Sequence, residues 1–354
     1  MGVVDSACSW GLRIVLRGYS LKDGGKYSWR VEDIHSFLLS FWAQFKDVPD
    51  LKLWQGWLCS LRFFSFTATR FLTLESLAGI VTVASELGIV ACGVTLLMIS
   101  GEFDLSVGSV FGFSAMVFAS LSNVGVPLVI GFVLALLVAF FIGWTNGLIT
   151  VKFHIPSFIT TLGTMMLWRG VLLAWTGGFG VRFWGKSLFL DVLNGQFFGG
   201  FRASALWFVV LVAICNFALT RTPYGNSVYA TGGSREAARL LGIPVDRVKV
   251  VNFIIVAVLS GLAGCVQFAR FASVDPLRGQ GMELEAIAAT VVGGTLMSGG
   301  HGSLVGTLFG VLLIGMVRSG LVMSGAPAYW YQAFVGVILI IAVIINTKLR
   351  EWAK

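Results

Sequence analysis

Two carboxylates stand close together in Gly101-Glu102-Phe103-Asp104-Leu105-Ser106-Val107-Gly108-Ser109, a short polar stretch between long apolar runs. Ionisable groups at membrane depth are costly and default to functional sites. A carboxylate pair is also the equipment of general acid–base hydrolysis. That chemistry needs companions, and the sequence supplies none beside them. His35, His154 and His301 are isolated, and Cys8, Cys59, Cys92, Cys215 and Cys265 are scattered without CxxC spacing, so neither a zinc site nor a disulfide framework is indicated. Asp104 and Ser106 serve equally well as caps of the helix that follows. A second acidic pair, Glu283 and Glu285, opens an apolar run that leads into Gly293-Gly294-Thr295 and Gly299-Gly300-His301-Gly302-Ser303. The run is short for a full crossing. A broken or re-entrant helix is expected, the element from which transporters build substrate paths, although small residues also serve tight packing alone. No GxxxxGK[ST] phosphate loop occurs in the chain.

A third segment has the pattern EAAxxxG. Ser234 can cap a helix whose first turn holds Glu236, a favourable place for an acid beside the positive helix end. Arg235 and Arg239 lie four apart on one face. Ala237, Ala238 and Leu241 give a small, close-fitting surface, Gly242 stops the helix before Ile243, and Pro244 keeps it from resuming. This pattern fits a docking surface and a solvated spacer equally well.

These segments belong to a membrane protein. The 354 residues are 56% hydrophobic and 12% charged, with a mean hydropathy of +0.87, whereas soluble domains carry about 25% charged residues. Strand alternation is absent, which argues against a barrel. The fold class is all-α and polytopic. Spans are predicted at about 77–100, 106–122, 127–151, 156–176, 204–221, 248–270, 283–298, 302–324 and 329–347. A weak first span at 53–66 brings the number to about ten. Residues 1–52 form an atypical polar and aromatic segment ahead of a transmembrane domain at 53–354; the first seventy residues hold 15 of the 42 charged residues and five of the twelve tryptophans. Pro156 marks the turn between two spans.

The net charge of +8 reflects cytoplasmic loops rather than nucleic-acid binding. The loop at 222–249, with Arg235, Arg239, Arg247 and Lys249, the 152–154 turn and the C-terminal tail fall on one side, read as cytoplasmic. Arg169 and Arg318, near outer span ends, are expected to snorkel. A faint duplication pairs Ile142-Gly143 with Ile314-Gly315, five spans apart, and an odd offset implies inverted-repeat halves.

Four segments in order, GEFDLSVGS, NGLITVKFHIPSFITTLGTMMLWRG, YGNSVYATGGSREAARLLGI and GMELEAIAATVVGGTLMSGGHGS, resemble the motifs of ribose/xylose-type permease subunits of bacterial ABC sugar importers. The resemblance covers the chain from about Phe71 onward. It implies a permease of the cytoplasmic membrane that pairs with a second permease subunit, as homo- or heterodimer. It also implies two cytoplasmic ATPase domains that hold ATP and Mg, and an extracytoplasmic sugar-binding protein, with no cofactor on this chain. Residues 234–243 would be the ATPase-coupling helix. Glu102, Asp104, Ser106, Gly108, Asn146, Pro156, Glu283 and Glu285 would lie in the translocation motifs, and the cargo would be a pentose or hexose. Three features depart from the family pattern: the first span at 53–66 is interrupted and preceded by a polar segment, Glu102 stands where a small or apolar residue is expected, and Glu86 places a charge within a span. A permease for branched-chain amino acids or nucleosides, a secondary carrier and a multi-pass enzyme are the alternatives.

Overall fold

The computed structural model describes Arg62, Phe64, Ser65 and residues 71–352 apart from 186, 326 and 328. The predicted first span and the polar segment at 1–52 therefore lie outside the described residues, save those three. Eight of the nine remaining spans are helices: α1 (Leu74–Ile99), α2 (Val107–Asn123), α3 (Leu128–Lys152), α4 (Ser157–Thr176), α6 (Ala203–Arg221), α9 (Val245–Phe271), α11 (Leu304–Met323) and α12 (Tyr329–Trp352). Between α4 and α6 come the short strand β1 (Val181–Arg182) and helix α5 (Leu188–Asn194). Between α6 and α9 come α7 (Pro223–Gly233) and α8 (Arg235–Leu240); strand β2 (Ser273–Val274) follows α9. Six of these helices are long and apolar enough to cross a membrane, and α2 and part of α12 are shorter apolar helices.

The span predicted at 283–298 is corrected. It is helix α10 (Met282–Val292), whose 11 residues reach about 16 Å, roughly half of a ~30 Å hydrocarbon core. Gly293 and Gly294 end it, the latter with a φ of +90°, and the chain runs on as a loop to Ser303, which caps α11.

Packing repeats itself in the two halves. α9 packs on α3 as α1 packs on α11, and α9 on α2 as α1 on α10. α2 meets α3 and α4 as α10 meets α11 and α12, while α1 and α9 pack on each other. The glycines paired in the sequence each sit at a tight crossing. A Cβ on Gly143 would lie 2.6 Å from the Ala257 Cβ, and one on Gly315 would lie 2.8 Å from the Ala84 Cβ. Neither helix can come so close with a larger residue. Helices α1 and α9 bury most of their surface, whereas α3, α4 and α6 leave large apolar faces exposed, as a membrane solvent permits.

Chain contacts define the two ends of the bundle. At one, the Gly300 N–H donates to the Ile99 carbonyl at 2.8 Å, beside α8. At the other, β1 and β2 pair antiparallel, Val181 opposite Val274.

Candidate functional site

At the α8 end the local sequence builds a small rigid helix. Ser234 accepts from the Ala237 N–H at 3.3 Å, Glu236 sits in the first turn, and Gly242 takes a φ of +78° just past the end. Ala238 is buried and Ile243 packs on the core, which seats one side of α8. The other side stands free: Leu240 is 89% and Leu241 79% exposed. Leu241 therefore belongs to the outward surface rather than to the close-fitting one. Leu240, which spacing alone did not single out, is its neighbour there; two adjacent leucines at a helix stop were the available signal.

Arg235 and Arg239 diverge. Arg239 pairs with Asp246 at 2.8 Å, both about half exposed. Arg235 reaches 2.7 Å to Glu102 and also donates to the Gly101 carbonyl at 3.3 Å. Glu102 is buried, and its same oxygen lies 2.6 Å from Nζ of Lys249, itself 7% exposed. Lys249 stood in the sequence as one of several loop cations, and only the fold selects it. A cavity of about 430 Å³ lies beside this cluster, lined among others by Glu102, His154, Pro156, Arg239 and Lys249.

From Glu102 the chain turns into the bundle. The Phe103 N–H donates to Ser157 Oγ at 3.1 Å. Asp104 accepts through Oδ1 from the Ser106 N–H at 2.7 Å and from its hydroxyl at 2.6 Å. Asn146 Nδ2 donates to Ser106 Oγ at 2.9 Å. The structure thus brings Asp104, Ser106 and Asn146 together, all fully or nearly fully buried, and leaves Asp104 Oδ2 and Asn146 Oδ1 without partners. Burial pushes the Asp104 carboxyl up to about 6, against the pull of the Ser106 donors and the nearby Asn146 amide.

Ser109 Oγ donates to the Met165 carbonyl at 2.9 Å. Met165 is about 12 Å along α4 by helical rise, so α2 begins well inside the bundle. α10 begins there as well, approached from the opposite end. The two helix starts meet backbone to backbone: a Cβ on Gly108 would fall 2.3 Å from the Gly279 carbonyl oxygen, and one on Gly279 would fall 2.6 Å from that of Gly108. Arg169 bolts the junction, donating to the carbonyls of Pro276 (2.7 Å), Arg278 (3.0 Å) and Gly108 (3.0 Å). It points inward and does not snorkel, because three backbone acceptors satisfy its guanidinium where lipid offers none. Arg318 likewise turns to a protein partner, Glu285 at 3.3 Å, and lies over the Tyr331 ring. Glu283 Oε1 accepts from the Gly281 N–H at 3.2 Å. Glu86, away from both clusters, pairs with Arg270 at 3.0 Å and accepts from Gln267 at 2.8 Å.

Among the described residues no group of three or more His, Cys, Asp or Glu is placed to hold a metal. Pro156 lies at the start of α4, where its carbonyl accepts from the Ile159 and Thr160 N–H groups at 2.9 and 3.2 Å.

Comparison with known proteins adds three findings. Residues 76–343 match the family described as "Branched-chain amino acid transport system / permease component". The chain is 39% identical over 288 residues to the probable ABC transporter permease protein YphD of Escherichia coli strain K12, covering 81% of this chain and 86% of that one. It is 36% identical over 261 residues to the ribose import permease protein RbsC of Bacillus subtilis strain 168 (74% and 81% covered). It is 32% identical over 285 residues to the autoinducer 2 import system permease protein LsrC of Escherichia coli O9:H4 (80% and 83%). No solved structure matches the chain.

Proposed function

This chain belongs to the permease-component family of ABC importers, a non-catalytic membrane subunit whose ATPase is a separate chain, and from that premise we propose that it carries a monosaccharide inward across the bacterial cytoplasmic membrane. The observation that carries the mechanism is α8, seated by Ala238 and Ile243 yet presenting Leu240 and Leu241 to solvent. Two leucines so exposed on a capped polar helix are an apolar knob without a socket. A groove on a cytoplasmic ATPase subunit supplies that socket.

Basic groups support the sidedness. Arg221, Arg247 and Lys249 flank α8, which itself carries Arg235 and Arg239, and Lys152 ends α3 at the same end of the bundle. By the positive-inside rule we read that end as cytoplasmic, and the C-terminal tail with it. A second permease subunit and an extracytoplasmic sugar-binding protein complete the assembly. ATP-driven closure of the ATPase pair then shifts the permease between inward- and outward-facing populations.

The ribose relative, more identical than the autoinducer 2 relative, favours a pentose or hexose. The autoinducer 2 likeness over 80% of the chain supports that signal molecule as the second reading. Reconstitution with the cognate ATPase and binding protein tests both. ATP-dependent accumulation of labelled ribose or another monosaccharide is the expected result. Accumulation of autoinducer 2 or a branched-chain amino acid with no monosaccharide uptake overturns the cargo. Replacing Leu240→Asp with Leu241→Asp should abolish co-purification of the ATPase; retained association would overturn the docking role of α8.

A further inference from the structure

We infer that Glu102 is the positioning residue that transmits movement of α8 into the membrane, an inference that rests on α8 being the ATPase docking helix. Three observations converge on it. The first is connectivity. Glu102 lies in the corner between α1 and α2, and its carboxylate holds Arg235 of α8 at 2.7 Å and Lys249 of α9 at 2.6 Å. One side chain thereby ties the docking helix, a central transmembrane helix and the loop that opens α2.

The second is burial. Glu102 and Lys249 are 6% and 7% exposed at the side chain, whereas the Arg239–Asp246 pair on the same surface is 55% exposed on both sides. A pair withdrawn from water and salt resists being pulled apart, because neither charge can be left behind in the interior. An exposed pair yields to solvent. α8 grips this buried pair through Arg235, whose side chain is 53% exposed against 6% for Glu102, whereas its other ion pair, Arg239–Asp246, has both partners exposed; only the Glu102 contact is anchored in the interior.

The third is what lies beyond. Two residues on, Asp104 is fastened through Ser106 to Asn146 of α3. Four residues beyond that, Gly108 touches Gly279 at the meeting of the two helix starts, where Arg169 clamps both. Displacement of α8 drags Glu102, and the short loop 101–106 has no slack in which to absorb it. The motion arrives at the Gly108–Gly279 junction, where the two backbones meet without side chains between.

Removing Glu102 alone strands Lys249, so the informative variant removes both charges: Glu102→Gln with Lys249→Met. In the reconstituted transporter with its ATPase and binding protein, three quantities are measured on this variant, on Glu102→Asp and on the wild type. They are ATPase co-purification, stimulation of ATP hydrolysis by loaded binding protein, and sugar uptake. The double variant is expected to fold and to retain the ATPase, while stimulation and uptake both fall by about tenfold or more, within the usual range of allosteric coupling. Glu102→Asp, which keeps the carboxylate, should retain most of the stimulation. Stimulation and uptake within about twofold of wild type in the double variant would overturn the inference and leave the docking role of α8 standing. Loss of ATPase association in the double variant would overturn it too, by making Glu102 a support for docking. Failure of the wild type to associate with its ATPase would remove the reading on which both rest.

Discussion

The two halves of this molecule share a skeleton and differ in their wiring. Gly143 brings α3 against α9, and Gly315 brings α11 against α1 at nearly the same separation. Each half contains a helix that begins inside the bundle after an acidic or glycine-rich approach, α2 in one and α10 in the other. Yet the carboxylates of the first half are held differently from those of the second. Glu102 is enclosed with Lys249 and reaches α8, whereas Glu285 meets an Arg318 that is 45% exposed. The difference teaches that packing was duplicated while the polar connections were specialised. Glu102 of the first half is tied to α8 and α9, whereas Glu285 of the second is tied to Arg318 of its own half.

That contrast can be broken by mutation. The largest effect is expected from Glu102→Gln alone, which leaves Lys249 buried without its partner and costs about 3–5 kcal/mol. The corresponding Glu285→Gln leaves behind an Arg318 that is 45% exposed and should cost less, about 1 kcal/mol. Thermal unfolding in detergent compares the two, and equal losses would erase the distinction between the halves. Next come Gly143→Leu and Gly315→Leu. Each forces apart a helix crossing with no room for a Cβ, and the two should lose similar stability, about 3 kcal/mol at the upper end for overpacked interiors. A large loss in one and none in the other would show that only one half depends on its close crossing.

Asp104→Asn tests the electrostatics of the first half. The native carboxyl binds its proton more tightly than the unfolded one, from about 6 against a reference of 3.8. The native state therefore loses stability as pH rises from about 4 to about 6, and above that the penalty is fully present. The neutral amide escapes it, so Asp104→Asn should gain on the wild type by up to about 3 kcal/mol at pH 7.5 and by nothing below pH 4. A difference that does not change with pH would mean the carboxyl is not held up by burial. The smallest effect belongs to Arg239→Ala: an exposed pair with Asp246 is worth about 0.2–1 kcal/mol and should fade in high salt, which unfolding at two ionic strengths reports.

Much of this was legible in the chain. The α8 cap and stop followed from Ser234 and Gly242, because those residues act on backbone within a few positions. The short helix α10 was legible as a run too brief to cross, though its end at Val292 was not, since the apolar character continues through Leu296 and Met297 after the helix has stopped. The duplication of Ile142-Gly143 in Ile314-Gly315 pointed to two crossings whose geometry then matched. Arg169, Arg318 and Lys249 were not legible in the same way. A cation in an apolar span has the same local sequence whether it reaches for headgroups or for a carbonyl across the bundle.

The sequence by itself therefore determined the class, eight of the spans, the helix at 235–240 and the family, all of which depend on composition, local backbone preference or ordered motifs. Only the tertiary structure decided that Glu102 faces Lys249 and Arg235, that Arg169 clamps Gly108 to the 276–278 turn, and that Leu240 and Leu241 stand clear. These are contacts between segments 60 to about 150 residues apart. They arise from how helices cross, and hydropathy along the chain carries no record of which faces meet.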